Sequence, residues 1–149
     1  MIVADILAQK GSRVFLIDPE ELVSEALRTL HKKRIGALVV VDAWHNINGI
    51  ITERDILNMY AMAKGRVKEL PVKDIMTPAK KLIVGQKTNK LEYVMSIMTE
   101  NRIRHLPIIN DKGKLEGMVS IGDVIKGLLK HVEYEKKLLA DYIQGIYPL

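Results

Sequence analysis

Two copies of one short pattern place a hydroxyl and a carboxylate where they could bind a nucleotide. Residues 49–55 read Gly-Ile-Ile-Thr-Glu-Arg-Asp, and residues 117–123 read Gly-Met-Val-Ser-Ile-Gly-Asp. Each copy has a hydroxyl residue three positions before an aspartate, and the pairs are Thr52 with Asp55 and Ser120 with Asp123. At a helix start, a carboxylate can accept hydrogen bonds from both ribose hydroxyls, while the free N–H groups and the helix dipole favour a phosphate. This spacing therefore favours the binding of a ribose and a phosphate.

The same pattern also has a purely structural explanation. Ser or Thr followed three residues later by an acid forms a capping box, which stabilises a helix start by about 0.5–2 kcal/mol without any ligand. Capping boxes prefer Glu or Gln at the acidic position, whereas both copies here carry Asp. The duplication and the choice of Asp together favour at least one ligand-binding cleft.

Basic residues near the motifs could supply charge for a phosphate. Arg54 lies inside the first motif, whereas the second motif has Gly122 at that place, and Arg104 could compensate from the start of a nearby strand. Lys10 precedes a glycine and could reach a phosphate, although an exposed loop lysine is an equal alternative. Equivalent positions differ, with Gly36 in the first half where Arg104 stands in the second. We therefore expect two clefts of unequal affinity or ligand preference.

His105 begins an apolar run that contains Pro107. Proline has no backbone N–H, so this strand is predicted to be bulged or to lie at a sheet edge. Backbone groups near His105 would then be free to bind the edge of an adenine. The alternative is that His105 is a packing residue whose polar atoms are satisfied within the protein.

The elements that must position these residues also occur twice. Each half is predicted to form strand, helix, strand, strand, helix, and the second half follows the first by 68 positions. The predicted strands cover residues 14–17, 37–41, 47–51, 82–84, 105–109 and 115–119, and the predicted helices begin at Asp18, at Thr52, before Leu91 and at Ser120. Residues 3–7 and 72–76 are similar and form a lead-in to each half. A unit of about 60 residues cannot bury both of its helix faces, so the two units are predicted to share a core in an α/β (α+β) fold.

The last predicted helix is longer than its counterpart and continues past His131. It carries an apolar stripe that comprises Ile125, Leu128, Leu129, Val132, Leu139, Tyr142, Ile143 and Ile146. The stripe could fold back over the pair of units or pack against another subunit, and the sequence favours the subunit contact.

Composition narrows the class of protein. The chain has 149 residues, no cysteine and a net charge of +5, with 48% hydrophobic and 28% charged residues. These values are typical of a globular protein without disulfides or thiolate metal sites, and they favour a cytoplasmic location and no membrane association. The positive charge fits either a solvated surface or a phosphate site. Nucleic acid is disfavoured because the basic residues are dispersed and aromatic residues for base stacking are few.

Four phrases in order make the chain resemble the tandem CBS-domain pair, also called a Bateman module. They are residues 34–40, 49–55, 74–77 and 102–108, and the resemblance covers roughly residues 1–132. It implies one CBS repeat with its lead-in over residues 1–68, a second over 69–132, and a helical extension over 133–149. It also implies a pseudo-symmetric disc with two clefts that bind adenosine-containing ligands such as AMP, ADP, ATP, NAD(H) or S-adenosylmethionine.

The residues and the resemblance together give a set of predicted ligand-binding positions. The set is Lys10, Gly36, Thr52, Arg54, Asp55, Ile103, Arg104, His105, Ser120 and Asp123. The predicted cofactor is AMP or another adenine nucleotide, with NAD(H) as a further possibility and with no metal required. The sequence has no Walker loop and no GxGxxG or HExxH motif, and no serine has an evident general base and acid as partners. No catalytic residue is therefore predicted.

The predicted function is a non-catalytic sensor of adenosine compounds that forms a homodimer and regulates a partner in trans. The repeats and the last helix account for the whole sequence, so no output domain is expected within it. Two alternatives stay open. One is a nucleic-acid-binding accessory protein, motivated by the net charge and by the basic residues 32–34. The other is a structural partner subunit whose clefts have lost their ligands.

Overall fold

The fold is known from a computed structural model that describes residues 1–63 and 65–145. Within them lie the helices α1 (Val3–Lys10), α2 (Val23–Lys33), α3 (Glu53–Met62), α4 (Leu91–Glu100) and α5 (Ile121–Ile143). The strands are β1 (Leu16–Ile17), β2 (Ala37–Val41), β3 (Ile47–Thr52), β4 (Thr77–Pro78), β5 (His105–Ile109) and β6 (Leu115–Ser120). The α+β class predicted from the sequence is confirmed.

The strands form two sheets that correspond to the two halves of the sequence. The first sheet has the order β1-β2-β3-β4, with β1 parallel to β2 and the other two pairs antiparallel. The second sheet pairs β5 with β6 in antiparallel fashion, and both β2–β3 and β5–β6 contain a register shift near their turns. The two hairpins therefore match each other, and the sheets differ mainly in what lies beside them.

One predicted strand, at residues 82–84, is wrong, and Pro107 explains why. In the first half, the N–H of Val39 donates to the carbonyl of Phe15 at 3.1 Å, which helps to hold β1 against β2. The corresponding donor in the second half would be Pro107, which has no N–H. Only Gly85 bridges to β5, donating to Pro107 O and accepting from Ile109 N, both at 2.9 Å.

The start of the first long helix was also predicted wrongly, because α2 begins at Val23 and not at Asp18. The Asp18 carboxylate accepts a hydrogen bond from the N–H of Glu20 at 2.8 Å, which holds residues 18–20 in a local turn. Leu22 then stays extended and bridges to Pro71. The prediction treated Asp18 as a helix cap, whereas its side chain caps only a turn.

Two hydrophobic clusters form the core, and each takes its lead-in from the other half of the sequence. The first cluster joins α2, β2 and β3 to Val72 and Ile75, which precede the second repeat. The second cluster joins α4, β5 and β6 to Val3, Ile6 and Leu7, which precede the first repeat. Each hydrophobic cluster therefore contains residues from both halves of the sequence, and neither half supplies a complete core by itself. The predicted domain limits stay a prediction.

The extended C-terminal helix is confirmed, since α5 runs for 23 residues. Its buried residues, Val124 and Gly127, lie in its first two turns. The apolar stripe beyond them is exposed on the single chain, with Ile143 at 82% exposure, so the described part does not fold back over the pair. Ile146, the last predicted member of the stripe, lies outside the described residues.

Candidate functional site

A cavity of about 570 Å³ lies between the two units. Three stretches of chain and Gly36 form its walls, and the stretches are the end of β3 with the start of α3, the segment around 77–83, and residues 102–107. Its residues are Gly36, Ile50, Thr52, Glu53, Arg54, Asp55, Leu57, Thr77, Lys81, Leu82, Ile83, Arg102, Ile103, Arg104, His105 and Pro107. Sites for small molecules typically have volumes of about 300–1,000 Å³, so the cavity is large enough for a nucleotide. It is called the Asp55 cleft below.

The structure brings seven of the ten predicted ligand-binding residues together in this cleft. They are Gly36, Thr52, Arg54, Asp55, Ile103, Arg104 and His105. Arg104 therefore adds to the charge around Arg54, and its carbonyl accepts the N–H of Ile121 beside the second motif. Lys10 and Asp123 line a separate cavity of about 120 Å³ between α1 and α5. Ser120 lines neither cavity and caps α5.

Asp55 combines a structural role with a half-buried carboxylate that lines the cleft. Its Oδ2 accepts the N–H of Thr52 at 3.0 Å, and its own N–H donates to Thr52 Oγ1 at 3.1 Å, so the pair forms a capping box. Burial raises the pKa of Asp55 and outweighs the hydrogen bonds of Thr52 and Thr77, which lower it. Among the described residues no cation forms an ion pair with this carboxylate.

Asp123 has the same capping box but a different electrostatic environment. Its Oδ2 accepts the N–H of Ser120 at 2.9 Å, and its N–H donates to Ser120 Oγ at 3.1 Å. In addition, Lys10 Nζ lies 2.7 Å from Asp123 Oδ2. Burial raises the pKa of Asp123, but the hydrogen bonds from Lys10 and Ser120 together lower it below its usual value. One motif thus presents an unpaired carboxylate and the other a paired one.

These opposite pKa shifts predict opposite effects of two matched substitutions on stability. The pKa of Asp55 is raised in the folded state, so the ionised carboxylate destabilises the folded protein when the pH is above this pKa. Asp55→Asn should therefore stabilise the ligand-free protein at pH 7. The pKa of Asp123 is lowered in the folded state, so the ionised carboxylate stabilises the folded protein when the pH is above the pKa of the unfolded state. Asp123→Asn should therefore destabilise the ligand-free protein at pH 7. An exposed ion pair contributes about 0.2–1 kcal/mol, which shifts Tm by roughly 1–4 °C in a chain of this size.

Thermal unfolding of both variants and the wild type, measured without ligand, checks this prediction. Asparagine retains an oxygen that can accept the capping N–H in either motif, so the comparison isolates the charge. The effect of Asp123→Asn should fade as the pH falls below about 3.9, because the stability from its low pKa is lost as the carboxylate becomes protonated. A shift of both variants in the same direction at pH 7 would contradict it.

The side chains around the cleft favour an anionic ligand. Four cationic residues line it, against two acids. The cations are Arg54, Lys81, Arg102 and Arg104, and the acids are Glu53 and Asp55. Burial lowers the pKa of His105, although Glu53 acts in the opposite direction, so His105 is neutral at pH 7. At the start of α3, where the helix dipole favours an anion, these cations can bind a phosphate.

His105 and Gly36 contact each other where the two units meet. A Cβ on Gly36 would lie 2.9 Å from both Cε1 and Nε2 of His105, so only glycine leaves room for this ring. The carbonyl of Gly36 accepts the N–H of Glu53 at 3.0 Å, as that of Arg104 accepts the N–H of Ile121 at 2.9 Å. Gly36 is therefore a packing partner of His105, which in turn faces the cleft.

Sequence reasoning missed the wall formed by residues 77–83. Pairing of β4 with β3 brings this segment to the cleft, with Gly49 opposite Pro78 and Ile50 opposite Thr77. A side chain at Gly49 would collide with the carbonyl of Thr77, so the pairing depends on this glycine. The signal was available, because glycine opens both motifs and a glycine in a strand often marks a close backbone approach.

The family model of the CBS domain matches residues 3–61 and 72–130. Because these two matches cover more than half of the chain, the chain belongs to the CBS-domain family. The chain is 38% identical over 151 residues to the mitochondrial CBS domain-containing protein CBSX3 of Arabidopsis thaliana, covering 97% of this chain and 73% of that protein. Tandem CBS domains, predicted from four short phrases, are thus confirmed.

Solved structures show the same arrangement. The crystal structure of the CBS-domain containing protein ATU1752 from Agrobacterium tumefaciens matches with a TM-score of 0.79 and 38% identity, over 84% of this chain and 91% of that one. Two more distant pairs were solved with adenosine compounds. CBSX2 is in complex with AMP, at a TM-score of 0.73 and 24% identity, over 87% of this chain and 97% of that one. The CBS domain pair of MJ0100 is in complex with 5′-methylthioadenosine and S-adenosyl-L-methionine. It matches with a TM-score of 0.74 and 25% identity, over 86% of this chain and 99% of that one.

Two other features are absent from residues 1–63 and 65–145, a membrane-spanning helix and a metal-binding cluster. No helix there is both long enough and apolar enough to cross a membrane. No group of three or more His, Asp or Glu side chains there lies close enough together to hold a metal ion.

Proposed function

We propose that this chain is a non-catalytic regulatory module that binds an adenosine-containing ligand in the Asp55 cleft. AMP or another adenine nucleotide is the preferred ligand, with NAD(H) and S-adenosylmethionine as further members of the class. The observation that carries the proposal is the carboxylate of Asp55 at the start of α3, which lines a cavity of about 570 Å³ and has no ion-pair partner within residues 1–63 and 65–145. The adenosine compounds held by CBSX2 and MJ0100 support it.

Each part of an adenine nucleotide has a matching group in the cleft. Asp55 accepts hydrogen bonds from the two ribose hydroxyls, which offset the burial that raises the pKa of this carboxyl. Thr52 and Arg54, at the positive end of the α3 dipole, bind the phosphate. Ile83, Ile103 and other apolar residues of the wall enclose the adenine, as is usual for a ring that must be partly desolvated.

Regulation follows from where the cleft lies. Its walls belong to both units, so a bound ligand contacts both and favours the arrangement in which these contacts are best. A partner protein that prefers one arrangement is then controlled in trans, through the difference in ligand affinity between the two states. The CBSX3 relative is named as mitochondrial, and the cytoplasmic location expected for this chain stays a prediction.

The proposed homodimer would use exposed apolar residues on α3 and α5. Leu57 and Met62 on α3 are mostly exposed, as are Leu129 and Ile143 on α5. Apolar side chains repeated along helices in this way commonly mark a subunit interface. A second copy of the chain is the partner that the proposal assigns to them.

A thermal-shift screen of AMP, ATP, NAD, NADH and S-adenosylmethionine tests the proposed function. A ligand at about 100 times its Kd should stabilise the folded state by about 2.7 kcal/mol. In a chain of this size that corresponds to a rise in Tm of roughly 5–11 °C. Failure of every compound to raise Tm at concentrations up to the millimolar range would refute the proposal.

A further inference from the structure

The two lead-ins of the chain are alike for five residues and then diverge. Residues 3–7 and 72–76 share Val, Asp and Ile at the same places, after which the first continues Ala-Gln-Lys and the second Thr-Pro-Ala. Proline disfavours helix at the residue before it, so the second lead-in turns extended and forms β4 at Thr77–Pro78. The first has no proline, and α1 continues to Lys10.

Because α1 continues to Lys10, the side chain of this lysine reaches the second motif. Lys10 Nζ lies 2.7 Å from Asp123 Oδ2 and donates to the carbonyl of Met118 at 3.0 Å. In the first motif the position equivalent to Lys10 is Ala79, so no ammonium reaches Asp55 from the corresponding segment. The charges of Lys10 and Asp123 also act on His105, which lines the Asp55 cleft.

The backbone of the two motifs is the same, since both close with Asp as acceptor of the capping N–H. The cavity of about 120 Å³ that Lys10 and Asp123 line lies between α1 and α5 and contains no other residue of the second motif, so it is not the counterpart of the Asp55 cleft. What distinguishes the two aspartates is therefore the ion pair between Lys10 and Asp123.

We propose that Lys10 is a tethered occupant of the second motif, which keeps Asp123 from binding an adenosine ligand and leaves one ligand site per chain. The ammonium takes the place on Asp123 that ribose hydroxyls take on Asp55. A group on the same chain acts at an effective concentration in the millimolar range, so a free ligand must displace it at a large disadvantage. The inference rests on the proposed function for the identity of the ligand and goes beyond it in assigning the second motif.

Calorimetric titration with AMP tests the inference through the number of sites. Wild type should bind one AMP per chain, and Lys10→Ala should bind two. The added site must depend on Asp123, so the double variant Lys10→Ala with Asp123→Asn should again bind one AMP per chain. The double variant Lys10→Ala with Asp55→Asn should also bind one AMP per chain, now at the second motif. Alanine at the end of α1 keeps the helix propensity high, so the variant should fold.

Lys126→Ala is the matched control. Lys126 lines the same small cavity and forms no ion pair among the described residues, so its removal should leave the count at one. Two sites in wild type, or one site in Lys10→Ala, would overturn the inference while leaving the proposed function intact. No binding to wild type but an Asp123-dependent site in Lys10→Ala would refute the proposed function alone. No binding to either protein would overturn both.

Discussion

Asp55→Asn is expected to weaken AMP binding roughly 10- to 100-fold. The substitution removes the charge that strengthens hydrogen bonds to the ribose hydroxyls, and hydrogen bonds to a charged group contribute about 1.5–3 kcal/mol. It retains an oxygen for the N–H of Thr52, which Asp55 accepts at 3.0 Å in the native protein, so α3 should keep its cap. Isothermal titration with AMP measures the loss directly.

Asp123→Asn is the matched control for this experiment. It makes the same chemical change in the same capping box, but at a carboxylate that Lys10 already pairs. AMP affinity should therefore change by less than about threefold, which is below 1 kcal/mol. Equal losses in both variants would mean that the two motifs bind alike, and would argue against the assignment of the site to the Asp55 cleft.

Gly49→Ala is expected to have the largest effect on stability among changes near the site. A methyl group at Gly49 would collide with the backbone carbonyl of Thr77 and would also lie 3.0 Å from the sulfur of Met76. Backbone cannot rotate away as a side chain can, so β4 must separate from β3. Overpacking of this kind costs about 1–3 kcal/mol. Since β4 leads into the wall at residues 77–83, AMP affinity should fall as well.

Denaturant unfolding and AMP titration of Gly49→Ala measure the two effects together. Gly122→Ala is the control, because a Cβ there has its nearest neighbour, Ser120 Oγ, at an unstrained 3.6 Å. Alanine also favours helix over glycine, so this variant should be as stable as wild type or slightly more stable. Native stability of Gly49→Ala would show that β4 is not held against Gly49 as described.

The duplicated pattern allowed the sequence to predict the two capping boxes and the hairpins that precede them. Thr52 and Ser120 both cap as expected, because a hydroxyl three residues before an acid determines local geometry with little influence from the rest of the fold. The buried strand at Ala37–Val41 was equally clear, since a continuous apolar run has few other stable placements.

The contacts between segments that are distant in the chain could not be predicted from the sequence. The exchange of lead-ins places Val72 in the first core and Val3 in the second, and nothing local in either segment specifies which unit it will pack against. The pairing of Lys10 with Asp123 joins residues 113 positions apart, and it depends on how far α1 continues before the chain turns. Sequence reasoning placed Arg104 beside the second motif, where its carbonyl accepts the N–H of Ile121, but it did not predict that Arg104 also lines the Asp55 cleft.

A ligand-and-protein double substitution cycle tests the central claim most directly. AMP and 2′,3′-dideoxy-AMP, which lacks both ribose hydroxyls, are titrated into wild type and into Asp55→Asn. If Asp55 binds the ribose, wild type should prefer AMP roughly 10- to 100-fold, and the variant should bind the two compounds within about threefold of each other. An equal preference for AMP in both proteins would contradict the assignment of Asp55 to the ribose.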